Sequence, residues 1–158
     1  MTRLALGLLA TSLLMAAACG NEPSPKAEIR LGLLALLSGM PLESSGRPSI
    51  EGAELAVREA NEEGGIVIGG APHEVKLVVK EYEDRPDSAT SVARALINQS
   101  QIHVLIGPQF SRHAIPVARV AEDARIPMLT PMSSSPATTE GKEFVFRLAF
   151  LDEVQGKA

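Results

Sequence analysis

The stretch Ile29-Arg30-Leu31-Gly32-Leu33-Leu34-Ala35-Leu36-Leu37 is apolar almost throughout, holds a glycine, and stops at Ser38-Gly39. A strand with one wet face would alternate, so a run without alternation suits a central parallel strand buried on both sides. Working outward, a polar loop with Ser44, Ser45 and Gly46 leads to Pro48 and Ser49, both favourable at a helix start. Ile50, Ala53, Val57 and Ala60 then recur at helical spacing until Gly64-Gly65. After a turn at Gly69-Gly70, Val75, Leu77 and Val79 alternate with Lys76 and Lys80, the pattern of a half-exposed edge strand. Asp84-Arg85-Pro86-Asp87 breaks that strand and opens a second helix with Val92, Ala93, Leu96 and Ile97 on its apolar face. A short strand from His103 to Ile106 ends at Gly107-Pro108. A third helix follows with Ala114, Val117, Ala118 and Ala121 on one face, then a strand at Met128-Leu129 ended by Thr130-Pro131, and a fifth strand over Phe144 to Phe146. Strands alternating with connections of helical length predict an α/β fold: an open parallel sheet with right-handed crossovers and helices on both faces.

The chain of 158 residues is 45% hydrophobic and 22% charged, enough for one core rather than two. A formal net charge of -4 provides no basic field for a phosphate backbone, and only 3% of residues are aromatic, which removes a stacking platform for bases. Nucleic acid is therefore not an expected partner.

The first residues read as a targeting segment. Arg3 supplies a positive start, and Leu4 to Ala18 is an uncharged apolar run, short for a bilayer span, that closes in small residues. The sequence Leu14-Met15-Ala16-Ala17-Ala18-Cys19-Gly20 resembles the lipobox of bacterial lipoproteins, with Ala16 where leucine is usual. That resemblance implies a signal peptide over 1–18 and lipidation of Cys19. The plainer reading is an ordinary cleaved signal peptide with an incidental cysteine. Cys19 is the only cysteine, so no disulfide can form within the chain. Residues 19–28 then form a flexible spacer and the fold begins near Ile29.

In an open α/β sheet ligands bind beyond the carboxyl ends of the strands, where strand order reverses. Here those ends run into Ser38-Gly39 with Ser44 and Ser45, into Gly107-Pro108-Gln109-Phe110-Ser111, and into Pro131-Met132-Ser133-Ser134-Ser135-Pro136. Hydroxyls beside the free N–H groups of a helix start can grip an anion such as a carboxylate. Each has a plain alternative: Ser111 as an N-cap, with Pro116 then pushing the helix start a residue or two later, and Ser133 to Ser135 as a loop held by its own hydrogen bonds. No G-x-S-x-G elbow, P-loop or G-x-G-x-x-G is present, so an enzyme is not expected. His73, His103 and His113 lack metal-ligand spacing, and no cofactor is expected. His103 reads as a core or edge residue of its strand. Glu81, Glu83 and Asp84 read as a solvated turn rather than as a metal site or phosphoacceptor.

From Ile29 to Ala158 the chain resembles the first lobe of the type I periplasmic solute-binding proteins of the branched-chain amino acid (Leu/Ile/Val) class. The matching pieces are Ile29-Arg30-Leu31-Gly32 with Ser38-Gly39, and Glu51-Gly52-Ala53-Glu54-Leu55-Ala56 ending in Gly64-Gly65. Further along come Glu83-Asp84 before Pro86, Ile106-Gly107-Pro108 with Ser111, Thr130-Pro131 with Ser133-Ser134 and Pro136, then Phe146-Arg147 and Gln155-Gly156. The resemblance implies a two-lobed clamp that passes a small ligand to an ABC permease in the inner membrane. It implies that Ser111, Ser133 and Ser134 hold the ligand carboxylate, with Met132 where a small residue is more usual and Ser44 or Ser45 lining the pocket. No aromatic stands between Met40 and Ser49 to cover the ligand, and residues 29–158 make a first lobe incomplete at its C-terminus. The expected protein is a substrate-binding lipoprotein at the periplasm or cell surface for amino acids or related carboxylates. The rival readings are a sensory or regulatory lipoprotein using the lobe to contact a protein, and a small exported hydrolase.

Overall fold

Glu28–Ala35 forms β1, the strand on which the rest of the sheet is ordered. The structure, a computed structural model, describes residues 27–37 and 43–157, without the side chains of 43–45. The leader, Cys19, the spacer as far as Lys26, Ser38-Gly39 and the side chains of Ser44 and Ser45 therefore lie outside the described residues. After β1 come α1 (Glu43–Glu62), β2 (Ile66–Ile68), β3 (Ala71–Glu81), α2 (Pro86–Gln99), β4 (Val104–Ile106), α3 (Ser111–Ala124) and β5 (Met128–Thr130). A 3-10 turn (Pro136–Thr138), β6 (Val145–Arg147) and a short α4 (Asp152–Gln155) complete the described chain.

The strands lie in the order β2-β3-β1-β4-β5-β6. β1 pairs in parallel with β3 on one side and with β4 on the other, and the ladder continues in parallel through β5 to β6. The continuous apolar run thus does what such runs do in parallel sheets: Leu33, Leu34, Ala35 and Leu36 are all buried, whichever face they point to. Leu34 and Leu36 join the main core with Leu105, Met128 and Val145, under Ala89, Ala93 and Leu96 of α2 and Ala114, Val117, Ala118 and Ala121 of α3. The predicted apolar faces of the second and third helices are the faces that pack. α2 and α3 lie against each other, while α1 packs on β1 and β3, so helices cover both faces. Fully burying one leucine of this core is worth about 1.5–3 kcal/mol, so the α2 and α3 stripes account for much of what holds the sheet.

Several expectations need correction. The sheet is not purely parallel: β2 runs antiparallel to β3 in a hairpin turned by Gly69 and Gly70, both at positive φ. Three apolar residues between two glycine pairs are too few to display a period, which hid β2 from the sequence. The alternating strand is longer than Val75 to Val79 and is not the outermost one. β2 covers only Ala71, Pro72 and His73, so the edge reading holds for the remainder of β3. There Asn61 of α1 takes the place of a strand. Its Nδ2 donates to Val75 O at 2.8 Å and its Oδ1 accepts from Val75 N–H at 2.8 Å.

α1 starts before Pro48 and Ser49 and carries Pro48 inside it. α3 starts at Ser111 itself, not later, and accommodates Pro116 within the helix. His103 stands just ahead of β4 and is exposed. Its Nδ1 accepts from Arg30 N–H at 2.9 Å.

Candidate ligand site at the carboxyl ends of the strands

β3 and β4 lie on opposite sides of β1, so strand order reverses at β1 and β4, and the place for a ligand in a sheet of this kind is outside the carboxyl ends of those two strands. The β4 side of it is built by Gly107, Pro108, Gln109 and Phe110 leading into α3. Gly107 has φ +85, and a Cβ there would stand 2.9 Å from Leu34 O, so a left-handed turn and close approach to β1 both demand glycine. The Gly107–Pro108 bond is cis. Thr130 Oγ1 at the end of β5 donates to Pro108 O at 2.6 Å, tying the β4 and β5 loops together. Gln109, 1% exposed, donates from Nε2 to Ser49 Oγ of α1 at 2.7 Å, so a buried amide ties the connection after β4 to α1.

Ser111 is the first residue of α3. The N-cap is Phe110, which makes no side-chain cap bond, so Ser111 is not the cap. Its Oγ lies 3.0 Å from Ser133 Oγ and accepts from Ser135 N–H at 3.4 Å. Ser133 Oγ is in turn 2.7 Å from Thr138 Oγ1. Of the predicted residues, the fold therefore brings Ser111 and Ser133 together across the β4 and β5 loops, but with different exposure. Ser133 is 1% exposed and its hydroxyl serves the interior, whereas Ser111 and Ser134 are half-buried. Among the described residues Ser134 Oγ makes no hydrogen bond, while its carbonyl accepts from Asp152 N–H at 3.3 Å. Met132 is 50% exposed on the same loop. Arg147 of β6 donates from Nη1 to Ser135 O at 2.8 Å, so the whole serine loop is pinned by backbone carbonyls and one hydroxyl relay.

Sequence reasoning missed the polar cluster just behind this rim. Asp84 Oδ1 accepts from Arg112 Nη2 at 2.6 Å and Nε at 3.1 Å, and lies 3.0 Å from His113 Nε2. His113 is fully buried, with Nδ1 3.3 Å from Tyr82 Oη. Burial, then the neighbouring Arg112 charge, hold the His113 pKa below the usual histidine range, so it is neutral at pH 7. Nδ1 shares its contact with the Tyr82 hydroxyl as donor or acceptor according to the tautomer, and Nε2 faces Asp84 without hydrogen-bond geometry. Burial pushes the Tyr82 phenol up, and the Arg112 hydrogen bonds hold the Asp84 carboxyl below its ordinary value. Within the acidic trio, Glu81 and Glu83 are exposed as a solvated turn should be, and Glu83 pairs with Arg85. Asp84 is exposed as well, with 39% of its side chain accessible, but its carboxyl reaches across to α3. Among the described residues no group of histidine, cysteine or acidic side chains could hold a metal ion. The chemistry on offer is neutral donors and helix N–H groups, suited to holding an anion rather than to breaking bonds.

Comparison with known proteins fixes the family. Periplasmic binding protein is the family whose pattern matches residues 28–158. The chain belongs to the periplasmic binding protein family. Within it, the leucine-specific-binding protein of Salmonella typhimurium is 32% identical over 132 residues, covering 82% of this chain and 34% of that protein. The Leu/Ile/Val-binding protein of Escherichia coli K12 is 32% identical over the same length. Among solved structures, the branched-chain amino acid transporter substrate-binding protein LivJ from Streptococcus pneumoniae, in complex with isoleucine, has a TM-score of 0.71. It is 30% identical and the match covers 79% of this chain and 34% of that one. An ABC transporter substrate-binding protein from Desulfitobacterium hafniense in complex with Leu has a TM-score of 0.67 at 33% identity, covering 80% of this chain and 36% of that one. The chain spans about a third of the length of the curated relatives it matches. These periplasmic binding proteins are binding proteins rather than enzymes, in agreement with a rim of hydroxyls and backbone donors.

Proposed function

We propose that this chain is the ligand-holding first lobe of the substrate-binding component of an ABC transporter, and that its ligand is an amino acid or a related small carboxylate. Ser111 and Ser134 would hold the carboxylate together with the first N–H groups of α3. Ser133 would brace Ser111 from within, and Met132, Ser44 and Ser45 would line the pocket beside them. The observation that carries this reading is the placement of Ser111 at the first residue of α3 beside the β5 serine loop, where the Ser134 hydroxyl bonds to nothing among the described residues. Amino acids in the solved complexes of relatives give the ligand class its support. The tether belongs to the same proposal: lipidation of Cys19 would hold the lobe at the membrane, where it meets its permease at raised effective concentration.

Titrating isotope-labelled protein with leucine and recording amide shifts tests the site. Movement of Ser111, Ser133 and Ser134 resonances, lost in a Ser111→Ala, Ser134→Ala double variant that keeps its fold, is the expected result. Shifts elsewhere, or shifts unaffected by the double variant, would refute the assignment. Mass spectrometry of the membrane fraction after expression with and without Cys19→Ala reads the lipid directly.

A further inference from the structure

We infer that Asp84 is the positioning residue of the ligand rim, holding the first turn of α3 and with it Ser111; this rests on the reading of that rim as the ligand site. Two donor nitrogens of Arg112 meet Asp84 Oδ1, Nη2 at 2.6 Å and Nε at 3.1 Å, and His113 Nε2 lies 3.0 Å from the same oxygen without hydrogen-bond geometry. These side chains belong to the two residues that follow Ser111, while Asp84 stands in the loop after β3, which also brings the Tyr82 hydroxyl to this turn. Tyr82 adds only the longer contact to the far side of the imidazole, at 3.3 Å.

The first turn of α3 needs such a tie because its local supports are weak. Phe110, the N-cap, gives no side-chain cap bond, and the first turn holds no acidic residue to meet the positive end of the helix. Pro116 lacks the N–H that would bond the carbonyl of Arg112, so the turn is also less firmly joined to the helix behind it. Asp84 supplies from another element both the missing charge and the missing bonds. The guanidinium of Arg112 also lies 5.1 Å from the centre of the Phe110 ring, which seats the N-cap residue on the same cluster.

Amide spectra and amide exchange of the 158-residue chain and of Asp84→Asn, first without ligand and then with leucine, test the inference. In ligand-free Asp84→Asn the Ser111 and Ser133 resonances move and the His113 and Ala114 amides exchange at least tenfold faster, while those of Val117 to Ala121 and of β1 keep their rates. A general loss of stability would speed all of them together, and unchanged Ser111 to Ala114 signals would overturn the inference. Should Asp84→Asn not fold, Arg112→Gln removes both Arg112 hydrogen bonds from a half-exposed side chain and is held to the same outcomes. Leucine separates the two claims. If the unsubstituted chain shows no leucine shifts, the ligand reading fails and the ligand-free spectra still decide on Asp84. If it binds leucine and Asp84→Asn binds it equally tightly, Asp84 has no positioning role; at least a threefold loss is expected.

Discussion

Replacing Ser133 with alanine removes the middle oxygen of the relay that joins Ser111, Ser133 and Thr138. Ser133 Oγ sits 3.0 Å from Ser111 Oγ and 2.7 Å from Thr138 Oγ1, and Thr138 is 0% exposed, so water cannot replace the lost partner. A neutral hydrogen bond is worth about 0.5–1.5 kcal/mol net, and a buried hydroxyl left without a partner costs about 1–3 kcal/mol, so a total near 2–3 kcal/mol is expected. Urea unfolding followed by circular dichroism reads this as a midpoint lower by about 1 M for a slope of about 2 kcal/mol per M. Adding Thr138→Val removes the orphaned hydroxyl along with its methyl-sized footprint filled, and should return about 1 kcal/mol of the loss. Ser134→Ala serves as the contrast, since that hydroxyl bonds nothing among the described residues; its effect should stay within about 0.5 kcal/mol. A Ser133→Ala midpoint indistinguishable from the parent, or strictly additive losses for Ser133→Ala and Thr138→Val, would refute the relay.

Gly107→Ala places a side chain at φ +85 with its Cβ 2.9 Å from Leu34 O, and should cost about 1–3 kcal/mol in the same unfolding experiment and disturb the loop that leads to Ser111. Arg125 closes α3 at φ 53, so Arg125→Gly should raise stability by up to about 1 kcal/mol in thermal melts. Glu122 accepts from the N–H groups of Glu143 and Phe144, both at 3.0 Å, and these bonds hold its carboxyl below the ordinary value of 4.5. A depressed carboxyl in the folded state stabilises fully above its unfolded pKa and progressively less as pH falls through the folded one. Melting temperature measured from neutral pH down into the acid range should therefore fall less steeply for Glu122→Gln than for the parent, the two curves converging at the acid end.

What could be read from the residues alone was whatever a period or a breaker marks. The unalternating run became β1, Pro86 opens α2, and the stripe from Ala114 to Ala121 packs as predicted. That serines after two strand ends would stand near each other was also legible, since it depends only on order along the chain, and Ser111 and Ser133 do meet. What escaped depends on distance across the chain. Asp84 is indistinguishable from Glu81 and Glu83 in a string of acids, and only the fold brings Arg112 and His113 onto it, 28 residues later in the case of Arg112. The buried hydroxyl of Ser133 differs from that of Ser134 only by which way the loop turns, which no local pattern encodes. Gln109 likewise acquires its partner through tertiary packing, Ser49 standing 60 residues earlier. Pro48 and Pro116 misled for another reason: each is tolerated inside its helix instead of marking where the helix starts.

The amide of Asn61 against Val75 bears on how this molecule keeps apart from its neighbours at high concentration. Past His73 the outer margin of β3 would present its peptide groups in a row to any extended segment that drifts by, the usual start of strand-to-strand aggregation. By occupying both peptide groups of Val75 at once, a single side chain on a helix breaks that row near its beginning, and an incoming strand meets an obstacle before it can zip.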